Sequence, residues 1–102
     1  MAFDRYDTIA LGQDGSAFLD TAATTFTPAA PLKIVAITMV TACTFSALVA
    51  DDNTKFFGTG GVGKGGDTLG TGDSIPAGVT IYGSWTSASV GTDAEMCILY
   101  VG

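Results

Sequence analysis

The 102-residue chain predicts a single all-β domain, a β-sandwich or small β-barrel of jelly-roll or tulip-like form, with about seven or eight short antiparallel strands. Three observations carry that expectation. Apolar and half-polar side chains alternate with period two across Leu32 to Ala50. No window sets apolar residues at helical spacing behind a capping residue. Short apolar runs are separated throughout by Gly, Pro, Asn and Asp, the residues that turns demand. A chain of this length fills one domain, so residues 1–102 are read as one unit.

The elements follow in order. Residues 1–7 form an N-terminal arm of mixed charge carrying Phe3, Arg5 and Tyr6. Thr8 to Leu11 reads as a brief strand, Gln13 to Ser16 as a turn, and Ala17 to Leu19 as the next strand. Asp20 to Pro31 holds Phe26 and two prolines, Pro28 and Pro31, which forbid a central strand and leave an extended connection. Leu32 to Ala50 is too long for one strand, so a break or bulge is expected near Thr41-Ala42. Asp51 to Thr54 turns the chain into a short strand, Lys55 to Phe57. Gly58 to Asp73 has eight glycines in sixteen positions, too little apolar area to repay their ordering, and reads as a flexible loop. Beyond a Pro-Gly turn, Val79 to Trp85 is a strand with Val79, Ile81, Gly83 and Trp85 on one side. Ser87 to Val90 is a further short strand, and Glu95 to Val101 the last, stitched into the sheet.

Composition excludes several functions. There is no histidine, which removes Ser-His-Asp and Cys-His catalysis, His-ligated zinc and the commonest general base. The net charge of −6 opposes binding to nucleic acid or to an anionic membrane, both of which need a basic surface. Ile34 to Ala50 is uncharged but short of the ~20 residues of a membrane span, and its Thr, Ser and β-branched content favours a strand. Asp4, Arg5 and Asp7 stand where a secretory signal needs a basic start and an apolar run. Synthesis in a reducing compartment is therefore expected, with Cys43 and Cys97 as free, buried thiols.

Motif matches point no further. Gly58-x-Gly60-x-x-Gly63 has the letters of a dinucleotide fingerprint, and Gly58 to Lys64 those of a phosphate-binding loop. Gly65 stands where the latter needs Ser or Thr, and the glycines that follow cannot build the helix whose N–H groups would hold phosphate. Asp51-x-Asn53-x-Lys55 opens like a calcium loop, but Lys55 replaces a ligand and Phe56 the required glycine. Glu95 is the one glutamate, so a paired-carboxylate glycosidase is not expected. Neither an enzyme, a metal nor a cofactor is expected. Tyr82, Trp85 and Tyr100 suit a sugar site or, more commonly, a core or interface. A mean hydropathy of +0.42 with 14% charged residues is high for a small monomer and points to self-association or docking on a larger assembly.

Three stretches carry a family resemblance: FDRYDTIALGQDGSAFLDTAATTFTP, IVAITMVTACTFSALVADD and IPAGVTIYGSWTSASV. With them the sequence resembles small virion structural proteins of tailed bacteriophages, particularly of marine phages and cyanophages. In that group an apolar strand, here Ile37 to Asp51, precedes a glycine-rich loop. A segment like Ile75 to Ser87 follows, then a closing apolar strand like Cys97 to Gly102. The resemblance implies a β-rich capsid decoration (cement) protein, made in the host cytoplasm and carried on the capsid surface of the virion. Its partners would be the major capsid protein and itself, as a homotrimer at three-fold or quasi-three-fold points. It brings no catalytic residues and fixes no contact positions. Phe3, Arg5, Tyr6, Phe26 and Trp85 are the candidate contacts. The alternative is a small tail, fibre or baseplate component that recognises a host glycan through Tyr82, Trp85 or the glycine loop.

Overall fold

The structure, a computed structural model, describes residues 14–102. The arm of residues 1–7 and the expected strand Thr8–Leu11 lie outside the described residues. Five strands, β1 (Ser16–Leu19), β2 (Ile34–Met39), β3 (Phe45–Ala50), β4 (Thr80–Val90) and β5 (Cys97–Val101), form one sheet in the order β1-β5-β2-β4-β3. Every neighbouring pair is antiparallel. No helix occurs among the described residues, so the all-β expectation stands.

The long period-two stretch divides where it was expected to. After β2, the Val40 and Thr41 N–H groups both donate to Met96 O (2.9 and 3.2 Å), and the Met96 N–H donates to Thr41 Oγ1 at 3.0 Å. These bonds clamp a corner onto the start of β5 and re-aim the chain into β3. Two other sequence-based boundaries are corrected. Val79–Trp85 and Ser87–Val90 are joined in the single eleven-residue β4, whose halves serve different neighbours. Thr80 to Trp85 pairs with β2, and Trp85 to Val90 pairs with β3. Thr86 is the extra residue of a bulge, because Val49 faces Ser87 while Ala50 faces Trp85.

Lys55 to Phe57 is a turn rather than a strand, with one bridge from Phe57 to Val62. The Thr54 N–H and Oγ1 both donate to Asp52 Oδ1 (2.9 and 2.6 Å), and the Lys55 and Phe56 N–H groups donate to Asp52 O. Local capture by an aspartate outweighs the strand preference of three residues. Among the described residues the sheet has five strands, against the seven or eight expected over the whole chain.

Register assigns the two faces. Leu19–Cys97–Met39 and Ala17–Leu99–Ile37–Ile81 are rows of directly opposed residues facing the core. Long connections cover this face through Phe26, Phe56, Phe57, Leu69 and Ile75. Trp85 is fully enclosed among them: its indole N–H donates to Phe57 O at 2.8 Å, and its ring meets Phe57 edge-on, centroids 5.8 Å apart. The ring lies against Gly83, where a Cβ would collide with it, so the strand needs glycine there to seat the indole.

Candidate interaction surface

The opposite face of the sheet is open. Its two rows are Phe18–Ile98–Thr38–Thr80 and Ser16–Tyr100–Ala36–Tyr82, running across β1, β5, β2 and β4. None of these eight side chains is charged, and no strand of the sheet contains a charged residue. Among the described residues every Asp, Glu, Lys and Arg sits in a connection or turn. Tyr82 is 74% exposed and Phe18 54%, which no satisfied core contact explains. Val49 on β3 and Val40 just past the end of β2 extend the exposed apolar area.

The pleat and the strand order build this surface from ordinary sequence. In β5, Cys97, Leu99 and Val101 point to the core, which sends Ile98 and Tyr100 outward; in β1, Ala17 and Leu19 send Phe18 outward. Thr38 and Thr80 join their hydroxyls at 2.8 Å across β2 and β4, so their polar atoms satisfy one another. Ala36 is small and buried between Tyr100 and Tyr82, whose backbones stand about two strand spacings, ~9–10 Å, apart. The arrangement can bury apolar area against a flat partner, and it can stack a planar or ring-shaped ligand. The eight side chains of its two rows include hydroxyls and phenols but no carboxylate, amine or thiol.

Of the residues expected as contacts, Phe26 and Trp85 lie away from this face. Phe3, Arg5 and Tyr6 lie outside the described residues. Phe26 is half-buried, bridged to Ala88 by paired backbone hydrogen bonds of 2.9 and 3.0 Å, and packs on the core. Trp85 has no exposed surface and is a core residue. Phe18 and Ile98, on the open face, were not among the expected contacts, whereas Tyr100 was expected at a sugar site, a core or an interface. For Ile98 the signal was present in CILYV, a strand with no charged residue on either side, which reads as covered on both faces.

Other groups singled out for chemistry are accounted for locally. Burial pushes both thiols up, Cys97 to about 12, with the neighbouring Cys43 thiol and the Glu95 carboxylate adding to it. They are neutral thiols at physiological pH and poor nucleophiles. Exposed Asp52 is held below the usual carboxylate range by its hydrogen bonds from Thr54. Among the described residues no three His, Cys, Asp or Glu side chains stand together in a metal-holding group, and no helix is long and apolar enough to cross a membrane. Gly58 to Asp73 runs through turns tied down by backbone bonds, including Thr59 N–H to Leu48 O at 2.8 Å and Gly63 N–H to Asn53 O at 3.0 Å. That is where the loop read as flexible is anchored.

No protein family, no curated protein and no solved structure matches the chain.

Proposed function

We propose that the protein is a capsid decoration (cement) protein of a tailed bacteriophage, binding the outer head surface and stabilising it as a homotrimer. The observation that supports this reading is the open, uncharged sheet face around Phe18, Ile98, Tyr100 and Tyr82. It adds to the sequence resemblance, and it gives the low-charge composition a location. Partners in this reading are the major capsid protein and other copies of the chain. The second layer of a β-sandwich belongs to it as well: the bare face receives its facing layer, about 10 Å away, from a partner chain. Three such contacts made together on a symmetric shell hold far more tightly than one.

A ligand that binds only the intact shell raises the shell's resistance to heat by mass action. Purified particles should therefore hold hundreds of copies, and heads should melt at higher temperature with the protein than without it. A few to a few dozen copies per particle, or head melting that ignores the protein, would sink the cement reading.

The Tyr82–Ala36–Tyr100 row favours one alternative, a tail or fibre component whose two rings hold a sugar of a host glycan. Tail-level copy number together with saturable glycan binding abolished by Tyr82→Ala would establish it instead.

A further inference from the structure

The two cysteines share more than burial. Cys43 lies in the corner between β2 and β3, and its backbone is fixed by reciprocal hydrogen bonds with Ile75 of 3.0 and 2.8 Å. Its Sγ lies 3.2 Å from Thr41 O and 3.2 Å from Met96 O. Met96 O is itself held in place by the Val40 and Thr41 N–H groups. The next residue is Cys97, and standard peptide dimensions then place the Cys43 sulfur within about 6 Å of the Cys97 Cα. Both side chains point into the same core cluster with no exposed surface. The chain has two cysteines, so neither has another intramolecular partner.

We propose that Cys43 and Cys97 form a dithiol modification site, converted by a small-molecule disulfide such as oxidised glutathione into an intramolecular disulfide that ties the β2–β3 corner to the start of β5. One cysteine thiolate attacks oxidised glutathione, forming a mixed disulfide and releasing one glutathione thiolate. The other attacks the protein sulfur of that mixed disulfide, forms the Cys43–Cys97 bond and expels the second glutathione. The protein gives up two electrons and two protons, and two molecules of reduced glutathione carry them away. The free-thiol form is the one a reducing compartment maintains; the bond forms once the protein leaves it.

Access comes through local opening, since a buried sulfur meets no oxidant in the closed form. The Gly91–Ala94 turn leading into Met96 and Cys97 is exposed throughout and holds Ala94 at φ 73°, a left-handed conformation unfavourable for alanine. The high thiol pKa values make exchange slow while the turn stays closed. Once formed, the bond closes a 54-position loop, which removes conformational freedom from the unfolded chain and raises stability.

The inference is independent of the capsid reading, and its test uses the isolated full chain. The protein is refolded from denaturant in a buffer of oxidised and reduced glutathione, then denatured, treated with iodoacetamide and weighed by mass spectrometry. The expected product is lighter by two hydrogens, carries neither glutathione nor alkyl groups, and melts roughly 10 °C above the reduced form, reversibly on reduction. Cys43→Ser and Cys97→Ala chains should show neither the mass loss nor the rise in Tm. Alkylation of both cysteines, accumulation of glutathione adducts on the unsubstituted chain, or a Tm unchanged or lowered by oxidation would each overturn the proposal. The mass of the unsubstituted chain decides the matter even where a variant fails to fold.

Discussion

Trp85 makes the largest single investment of apolar area in the core, and its indole N–H has its partner in Phe57 O. Truncating a buried tryptophan to alanine costs about 3–5 kcal/mol, a large share of the ~5–15 kcal/mol that holds a domain together. Trp85→Ala is therefore expected to lower the urea midpoint drastically or abolish folding. Trp85→Phe keeps most of the apolar area but strips Phe57 O of its donor, and should cost about 1–3 kcal/mol. The thiols act at the same scale through pH. Their folded pKa values are raised above the ordinary 9.0, so the fold favours the neutral forms. The stability this contributes is present in full below pH 9.0 and is lost as pH rises towards about 12 for Cys97. The Tm should fall through that window, and the fall should be shallower in Cys97→Ala; parallel curves for the two proteins would remove the thiol from the account.

Among elements, β3 shows how an edge strand without charge is kept from pairing further. Its Leu48 N–H donates to Thr59 Oγ1 at 3.1 Å, and Leu48 O accepts the Thr59 N–H, so the glycine segment takes the place of a next strand. Gly58 passes so close that a Cβ there would meet the Leu48 carbonyl, a backbone atom that cannot turn away. Gly58→Ala is expected to loosen this cover by about 1–3 kcal/mol and to raise aggregation on heating, read by light scattering alongside Tm. An unchanged Tm would mean that the segment covers nothing. Far-ultraviolet circular dichroism should show under about one-fifth helix, against the ~30–35% of an average domain. The strands themselves were legible wherever period two met β-branched residues, as in IVAITM and FSALVA, and so was the break near Thr41. The merging of two predicted strands into β4 was not, because the exchange of partners at Trp85 depends on the strand order and on the Thr86 bulge. Lys55 to Phe57 misled for a local reason, the pull of Asp52 on the N–H groups that follow it. The open face was legible only in part: alternation shows which residues leave the core, and strand order then shows which of them meet.

At the scale of the whole molecule, charge and apolar area are segregated. The sheet is neutral, and among the described residues the acidic side chains lie in the connections. Copies that met through their connections would repel, whereas the sheet face offers no such penalty. Phe18→Glu and Tyr82→Glu, at exposed positions, should leave Tm nearly unchanged, within roughly 0.5 kcal/mol of stability, while abolishing association in light scattering and on particles. Association that survives both substitutions would move the contact away from this face. The position of β5 has a different reach. It is the last strand along the chain, yet it lies between β1 and β2, and β1 has no other strand partner in the sheet. On the ribosome, β2, β3 and β4 can find one another first, whereas the pairing of β1 with β5 waits until Cys97 to Val101 have been made and have left the exit tunnel. A chain cut short before Cys97 lacks the strand that joins β1 to β2, and leaves the rows of Ile37 and Met39 bare on one side. A fragment of that kind should be digested by protease faster than the whole chain.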